Sequence, residues 1–168
     1  MTLFFLLLLA IAAPVDSDAA IFQVIVDEQG PDLVVADRTL PLCGEPPCLR
    51  DRDVLAALKR AAGEERYAAF ESRNRVAMKI APLRGRVWME SPEAIARAMD
   101  DGGWDELHCL YPHARAIVYF SAPAYVGEEA IVYFEEACDW QCGSGWYVRL
   151  TRDGKGWKIV ERADLWVS

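Results

Sequence analysis

The last third of the chain alternates side chains with the period of two that strands require, whereas the region before it repeats with helical spacing. The segments "RAIVYFSA" and "EEAIVYFEEAC" are rich in β-branched and aromatic residues, and "GWYVRLT" and "GWKIVERADLWVS" follow them. The break "RDGKG" carries the Asp-Gly signal of a tight hairpin. Consecutive strands joined by short turns predict an antiparallel meander of about four strands.

Helical patterns fill the middle of the chain. "DVLAALKRAA" and "ERYAAFESR" each place apolar residues on one face. "SPEAIARAM" has the clearest helix start, because Ser91 can cap it, Pro92 suits its first position and Glu93 complements its positive end. "AIFQVIVDEQG" fits a helix or a strand, and "DLVVADRTL" is more strand-like. We therefore predict an α+β fold of N-terminal helices packed on the C-terminal meander, of the cystatin or nuclear-transport-factor-2 type.

The length of 168 residues and the apolar fraction of 53% suit a single domain with its own core. Only "LPLCGEPPCLRDRD" resembles a linker, because its prolines oppose regular structure. We predict one domain over residues 20–168 with an irregular Pro/Cys loop near 41–50.

The N-terminus has an apolar run from Leu3 to Ala13, too short for the roughly 20 residues of a spanning helix. Small residues at Ser17 and Ala19 have the spacing that signal peptidase reads, so we predict a signal peptide over residues 1–19. A second candidate cleavage site lies at Ala10 to Ala13. The expected product is periplasmic or secreted, with no membrane span after cleavage.

Five cysteines in an exported chain indicate disulfides. The pairs Cys43 with Cys48 and Cys138 with Cys142 would each close a short loop, which leaves Cys109 over. Such short loops constrain the unfolded chain by only about 2 kcal/mol, so each bridge would be a local brace.

The stretch "CDWQCGSGWYVRL" concentrates chemically capable residues, and four interpretations compete for it. Zinc sites favour C-x-x-C or histidine spacing, a redox pair lies at a helix start, and a phosphate loop needs a following helix. Here a strand follows, so we favour a disulfide-braced hairpin. We predict no metal and no cofactor.

The formal net charge of -8, without a long basic run, argues against nucleic acid and anionic membrane as partners. A small molecule or another protein is the expected partner.

The short helix "WDELHCLY" places Trp104, His108 and Tyr111 on one face. This face either packs completely, with His108 buried and neutral, or borders a pocket in which His108 works with Asp105 or Glu135. We favour complete packing. Adjacent acids such as Glu135 and Glu136 point to opposite faces of a strand and cannot form a carboxylate pair; we expect them at the rim.

The segment "GGWDELHCLYP" and the ending from "AIVYFEEACDWQCGSGWYVRL" to "WVS" resemble a family of uncharacterised bacterial exported proteins. Its members have G-G-W before a short helix ending in Tyr-Pro, a C-G-x-x-C-G-x-G-like hairpin and a terminal W-[IV]-S. The likeness is good over residues 102–168 and loose over 33–99, and "SAPAYV" departs from a Ser-Arg-x-Gly-Phe segment of the family. The resemblance implies export and an α+β fold, and it transfers no catalytic residue.

Two functional classes follow from the residues. Six tryptophans and the lack of a recognisable nucleophile, base and orienting group favour a non-catalytic binding or interaction domain. The alternative is a small-pocket enzyme that uses His108 with a nearby acid.

Overall fold

A computed structural model of the chain describes residues 17–42, 48–140 and 142–168. The helices are α1 (Ser17–Gln29), α2 (Arg52–Ala62), α3 (Glu64–Arg73), α4 (Pro92–Asp101) and α5 (Gly103–Leu110). The strands are β1 (Leu33–Ala36), β2 (Val87–Glu90), β3 (Ala116–Phe120), β4 (Ala124–Val126), β5 (Glu129–Ala137), β6 (Gly143–Asp153) and β7 (Gly156–Val167).

The strands form one mixed sheet in the order β2-β1-β3-β5-β6-β7, and β4 pairs with β5 beside this path. Strand β1 runs parallel to both β2 and β3. The pairs β3 with β5, β5 with β6 and β6 with β7 are antiparallel. The Asp-Gly turn predicted between the last two strands is present, with Asp153 paired to Gly156.

The α+β class is confirmed, but the prediction of a meander of about four strands is wrong, because the residues that the structure describes form a sheet of seven strands. Strands β2 and β4 have four and three residues, too few to show a period of two. The sequence of β1 is "LVVA", buried on both faces as in the centre of a parallel sheet, so it does not alternate either. Strand β1 pairs in parallel with β2 and β3, so the sheet is not the purely antiparallel one that was predicted.

Helix α1 covers one face of the sheet. Its residues Ile21, Phe22, Ile25 and Val26 are all buried, and this spacing of one and four fits a helix rather than a strand. They pack in one cluster with alternate residues of β1, β3, β5 and β6, such as Val132.

Two helix pairs cover the opposite face. Helices α2 and α3 lie over the β5–β7 half, where Leu58 and Phe70 pack with Tyr133 and Tyr147. Helices α4 and α5 lie over the β1–β3 half, where Ile95, Trp104 and Leu107 pack with Val34 and Ile117. The sheet is therefore the middle layer of three.

Side-chain caps begin two of these helices. The Ala94 amide donates to Ser91 Oγ at 3.1 Å, with Pro92 at the first position as predicted. The amides of Asp53 and Val54 donate to Asp51 Oδ1 at 2.8 and 3.2 Å, which fixes the start of α2. This second cap helps to shape the mouth of the cavity described below.

Two predicted segments fall partly outside the described residues. Most of the predicted signal peptide lies there, and α1 already includes Ser17 to Ala20. In the predicted loop near 41–50, residues 43–47 lie outside, and Leu42 and Leu49 form an isolated bridge. No helix among the described residues is long and apolar enough to cross a membrane.

Candidate ligand-binding site

The hairpin between β5 and β6 is closed by a disulfide between Cys138 and Cys142, as predicted. Their Cα atoms are 5.1 Å apart, and the Cys138 amide donates to the Cys142 carbonyl at 2.8 Å. Asp139 has a φ of 60° at the turn, and its Oδ1 accepts from the Trp140 amide at 2.7 Å. Within residues 17–42, 48–140 and 142–168, no group of three or more His, Cys, Asp or Glu side chains could hold a metal ion. The stretch is therefore a braced turn.

The braced turn packs on Gly103, the first residue of α5. A Cβ built on Gly103 would lie 2.3 Å from Trp140 Cη2, so only glycine leaves room for this ring. Gly103 also has a φ of 62°, which glycine adopts without strain. The Gly-Gly-Trp segment and the cysteine hairpin, which both support the family resemblance, thus lie against each other.

The face of α5 that was a candidate site is occupied by structural contacts. Trp104 is 3% exposed and belongs to the core. His108 Nε2 lies 3.0 Å from the Ala114 carbonyl oxygen. The Tyr111 hydroxyl donates to Glu90 Oε2 at 2.8 Å, and burial together with this bond raises the pKa of Tyr111 to about 12.

Some details of this face differ from the expectation. His108 is exposed rather than buried, although it does bond to a backbone carbonyl as expected. Asp105 is exposed too, and Glu135 lines a cavity to which neither Trp104, His108 nor Tyr111 contributes. The thiol-bearing Cys109 is exposed on the same helix. The predicted pair of Cys43 with Cys48 stays a prediction, because Cys43 lies outside the described residues.

A cavity of about 580 Å³ opens between the start of α2 and strands β5 and β7. The cavity is lined by the loop before α2, by one side of α2 and by the two strands. The lining residues are Cys48, Leu49, Arg50, Asp51, Asp53, Val54, Ala57, Arg60, Tyr133, Glu135, Leu165 and Trp166.

Three side chains on the cavity floor form a hydrogen-bonded series. Trp166 Nε1 donates to the Tyr133 hydroxyl oxygen at 2.9 Å, and the Tyr133 hydroxyl donates to Glu135 Oε2 at 3.0 Å. Tyr133 and Glu135 share a face because they are two residues apart on β5. Trp166 reaches them from β7, two strands away in the sheet.

Gly145 makes this arrangement possible. It lies on β6 opposite both Glu135 and Trp166, between the two strands that carry the floor residues. A Cβ on Gly145 would lie 2.0 Å from Trp166 Nε1, so the indole rests directly on the glycine backbone. The ring can approach Tyr133 only because position 145 has no side chain.

The floor is electrostatically unusual, because its carboxyl group is partly buried. Burial raises the pKa of Glu135 above its ordinary value, although the hydrogen bond from Tyr133 opposes the shift. Burial and the nearby Glu135 also raise the pKa of Tyr133, and they raise that of Tyr119, on β3 opposite Glu135, to about 12. Both phenols therefore keep their protons at neutral pH.

Glu136, the neighbour of Glu135, lies on the other face of the sheet, as strand alternation predicts. Its Oε1 accepts from Arg115 at 2.9 Å, and the residue is only 5% exposed. The expectation that these acids lie at the rim is wrong for Glu136, because a salt bridge lets its carboxylate be buried.

Most residues of this site give no functional signal in the sequence. Trp166 belongs to the terminal Trp-Val-Ser that supports the family resemblance, and Tyr133 looks like any apolar strand residue. No family model matches this chain, and no match was found among curated proteins or solved structures. The resemblance to the exported family stays a prediction.

Proposed function

We propose that the protein is an exported, non-catalytic binding domain and that the cavity beside Glu135 holds its ligand. The observation that carries this proposal is the half-buried Glu135 carboxyl group, whose Oε2 is held by Tyr133 while the residue lines an open cavity. Burying a carboxyl group lowers stability unless it is paired, so such groups mark functional sites. A volume of about 580 Å³ is within the range of small-molecule sites.

Binding fits this site better than the alternative of an enzyme that uses His108 with a nearby acid. Both histidines of the chain lie outside the cavity lining, and His108 is engaged by the Ala114 carbonyl. The floor residues bond to one another in a fixed series, as in sites that orient a ligand.

Export with processing near Ala10 to Ala13 is also part of the proposal, and the contacts of α1 support this upstream site over cleavage after Ala19. Arg73 Nη2 lies 2.8 Å from Asp18 Oδ2, and the Tyr125 hydroxyl donates to Asp18 Oδ1. Cleavage after Ala19 would remove Asp18 and the first turn of a helix whose next residues are in the core. We expect N-terminal sequencing of the periplasmic or secreted pool to return a start before Asp18. A start at Ala20, or intact Met1 in a cytosolic pool, would contradict this.

The ligand site can be tested with a fragment screen by ligand-observed NMR on the processed protein. Ala57 lines the cavity from α2, so Ala57→Phe should fill it and abolish binding of the fragments found. Ala56, its exposed neighbour outside the lining, provides the matched control Ala56→Phe, which should bind them normally. Fragments that bind equally to both variants, or a screen without hits, would count against the site.

A further inference from the structure

The hydrogen-bond donors of the side chains on the cavity floor are already bonded, whereas one acceptor oxygen is not. The indole N–H of Trp166 is donated to Tyr133, and the only hydroxyl proton of Tyr133 is donated to Glu135 Oε2. Glu135 Oε1 accepts no hydrogen bond from any residue that the structure describes. A ligand that reaches this floor must therefore bring the donor itself, which favours ammonium and related groups over carboxylate or phosphate.

The walls suit an organic cation as well. Trp166 is partly exposed and presents an aromatic ring, and cations bind favourably over such rings. Leu165 and Val54 provide apolar surface for the body of the ligand. A small inorganic cation would leave these walls without a contact.

The charged groups around the cavity are compatible with a cationic ligand. Three carboxyl groups line it (Asp51, Asp53 and Glu135) against two guanidinium groups (Arg50 and Arg60). Both arginines are exposed, whereas Glu135 is half-buried, so solvent screens the arginines more strongly. The whole chain has a net charge of -8, which also attracts cations.

We propose that the ligand of this cavity is a small organic amine, whose ammonium group binds Glu135 and whose apolar or aromatic body lies against Trp166, Leu165 and Val54. This rests on the cavity being the ligand site, as proposed above.

Binding of an amine should depend on pH. Burial favours the neutral form of Glu135, and an ammonium group beside it favours the ionised form, so binding lowers the pKa of this carboxyl group. The titratable or charged groups that line the cavity with it are Cys48, Tyr133, Asp51, Asp53, Arg50 and Arg60, and Tyr119 lies opposite it on β3. The two phenols stay protonated near neutral pH, so affinity for an amine should fall as Glu135 becomes protonated in acid.

The test uses three probes of similar shape and different head group: 2-phenylethylamine, 2-phenylethanol and 3-phenylpropionate. Isothermal titration calorimetry on the processed protein at neutral pH should show that the amine binds at least about tenfold more tightly than the alcohol. Repeating the titrations with the amine and the alcohol at acidic pH should weaken binding of the amine only, because Glu135 becomes protonated there.

Two variants identify the carboxyl group responsible. Glu135→Gln should remove the advantage of the amine over the alcohol and also the loss of amine affinity in acid. Glu128→Gln is the control, because Glu128 is exposed and does not line the cavity, and it should leave both unchanged.

The possible results separate this proposal from the one on which it rests. Equal binding of amine and alcohol, or tighter binding of the acid, would overturn the amine proposal and leave the cavity as a binding site, provided that Ala57→Phe abolishes the binding. Binding of the amine that survives both Glu135→Gln and Ala57→Phe would overturn both. So would failure of all three probes together with an NMR screen that finds no Ala57→Phe-sensitive fragment.

Discussion

Replacing Gly145 with alanine should disturb the cavity floor by displacing the indole of Trp166. The new Cβ would lie 2.0 Å from Trp166 Nε1 and 2.7 Å from its Cδ1 and Cε2, whereas ordinary contacts begin near 3.4 Å. The indole must therefore move by about 1.4 Å, since 3.4 - 2.0 = 1.4. That movement breaks its 2.9 Å hydrogen bond to Tyr133. Overpacking costs about 1–3 kcal/mol and a lost hydrogen bond about 0.5–1.5 kcal/mol.

We expect Gly145→Ala to lower the free energy of unfolding by about 1.5–4.5 kcal/mol, measured by urea denaturation followed by circular dichroism. Gly154→Ala is the matched control, because a Cβ at Gly154 meets nothing within 4 Å, and it should change little. Trp166→Leu removes the clashing atoms, so Gly145→Ala should cost much less in that background. Equal costs in both backgrounds would show that contact with the indole is not the cause.

Three further changes test the hairpin, the buried carboxyl group and α5. Changing both Cys138 and Cys142 to serine should cost about 2 kcal/mol in urea denaturation, because the bridge closes a loop of only five residues; no change would show that it does not restrain the unfolded chain. Glu135→Gln should raise the free energy of unfolding at neutral pH, because burial raises the pKa of Glu135 above 4.5 in the folded protein. The protonated Glu135 of the wild type contributes to stability below that pH, and this contribution is lost as the pH rises through the folded pKa. Urea denaturation across a range of pH should show that the stabilities of Glu135→Gln and the wild type converge below about pH 4.5. A difference in stability that does not change with pH would contradict the raised pKa of Glu135. His108→Ala should cost only about 0.5–1.5 kcal/mol, because His108 is exposed and makes one bond to Ala114, and amine binding measured by calorimetry should persist; lost binding in a stable variant would revive the enzyme alternative.

The sequence predicted local structural features wherever a few neighbouring residues determine them. The cap at Ser91, the turn at Asp153 and the bridge between Cys138 and Cys142 all involve partners within a few positions of one another. Their geometry follows from backbone preference and loop length, which the sequence displays directly. The α+β class followed from the change of hydrophobic period for the same reason.

The pairing of distant segments depended on the tertiary structure. Strands β2 and β4 are too short to be recognised from the sequence. Strand β1 lies inside the sheet only because β2 and β3 pair on either side of it. Whether "AIFQVIVDEQG" forms a helix was decided by the sheet face that it covers. Propensity leaves such segments undecided, and burial against a particular surface settles them.

The candidate site belongs to this second category. Glu135 was considered in the sequence as an acid for His108, but its actual neighbours are Tyr133 on the same strand and Trp166, 31 positions later, since 166 - 135 = 31. The sequence determined that Tyr133 and Glu135 share a strand face, because alternation is a property of the backbone. Only the register of β5, β6 and β7, with Gly145 between them, decided that the indole reaches the phenol, because that register sums many contacts distant in sequence.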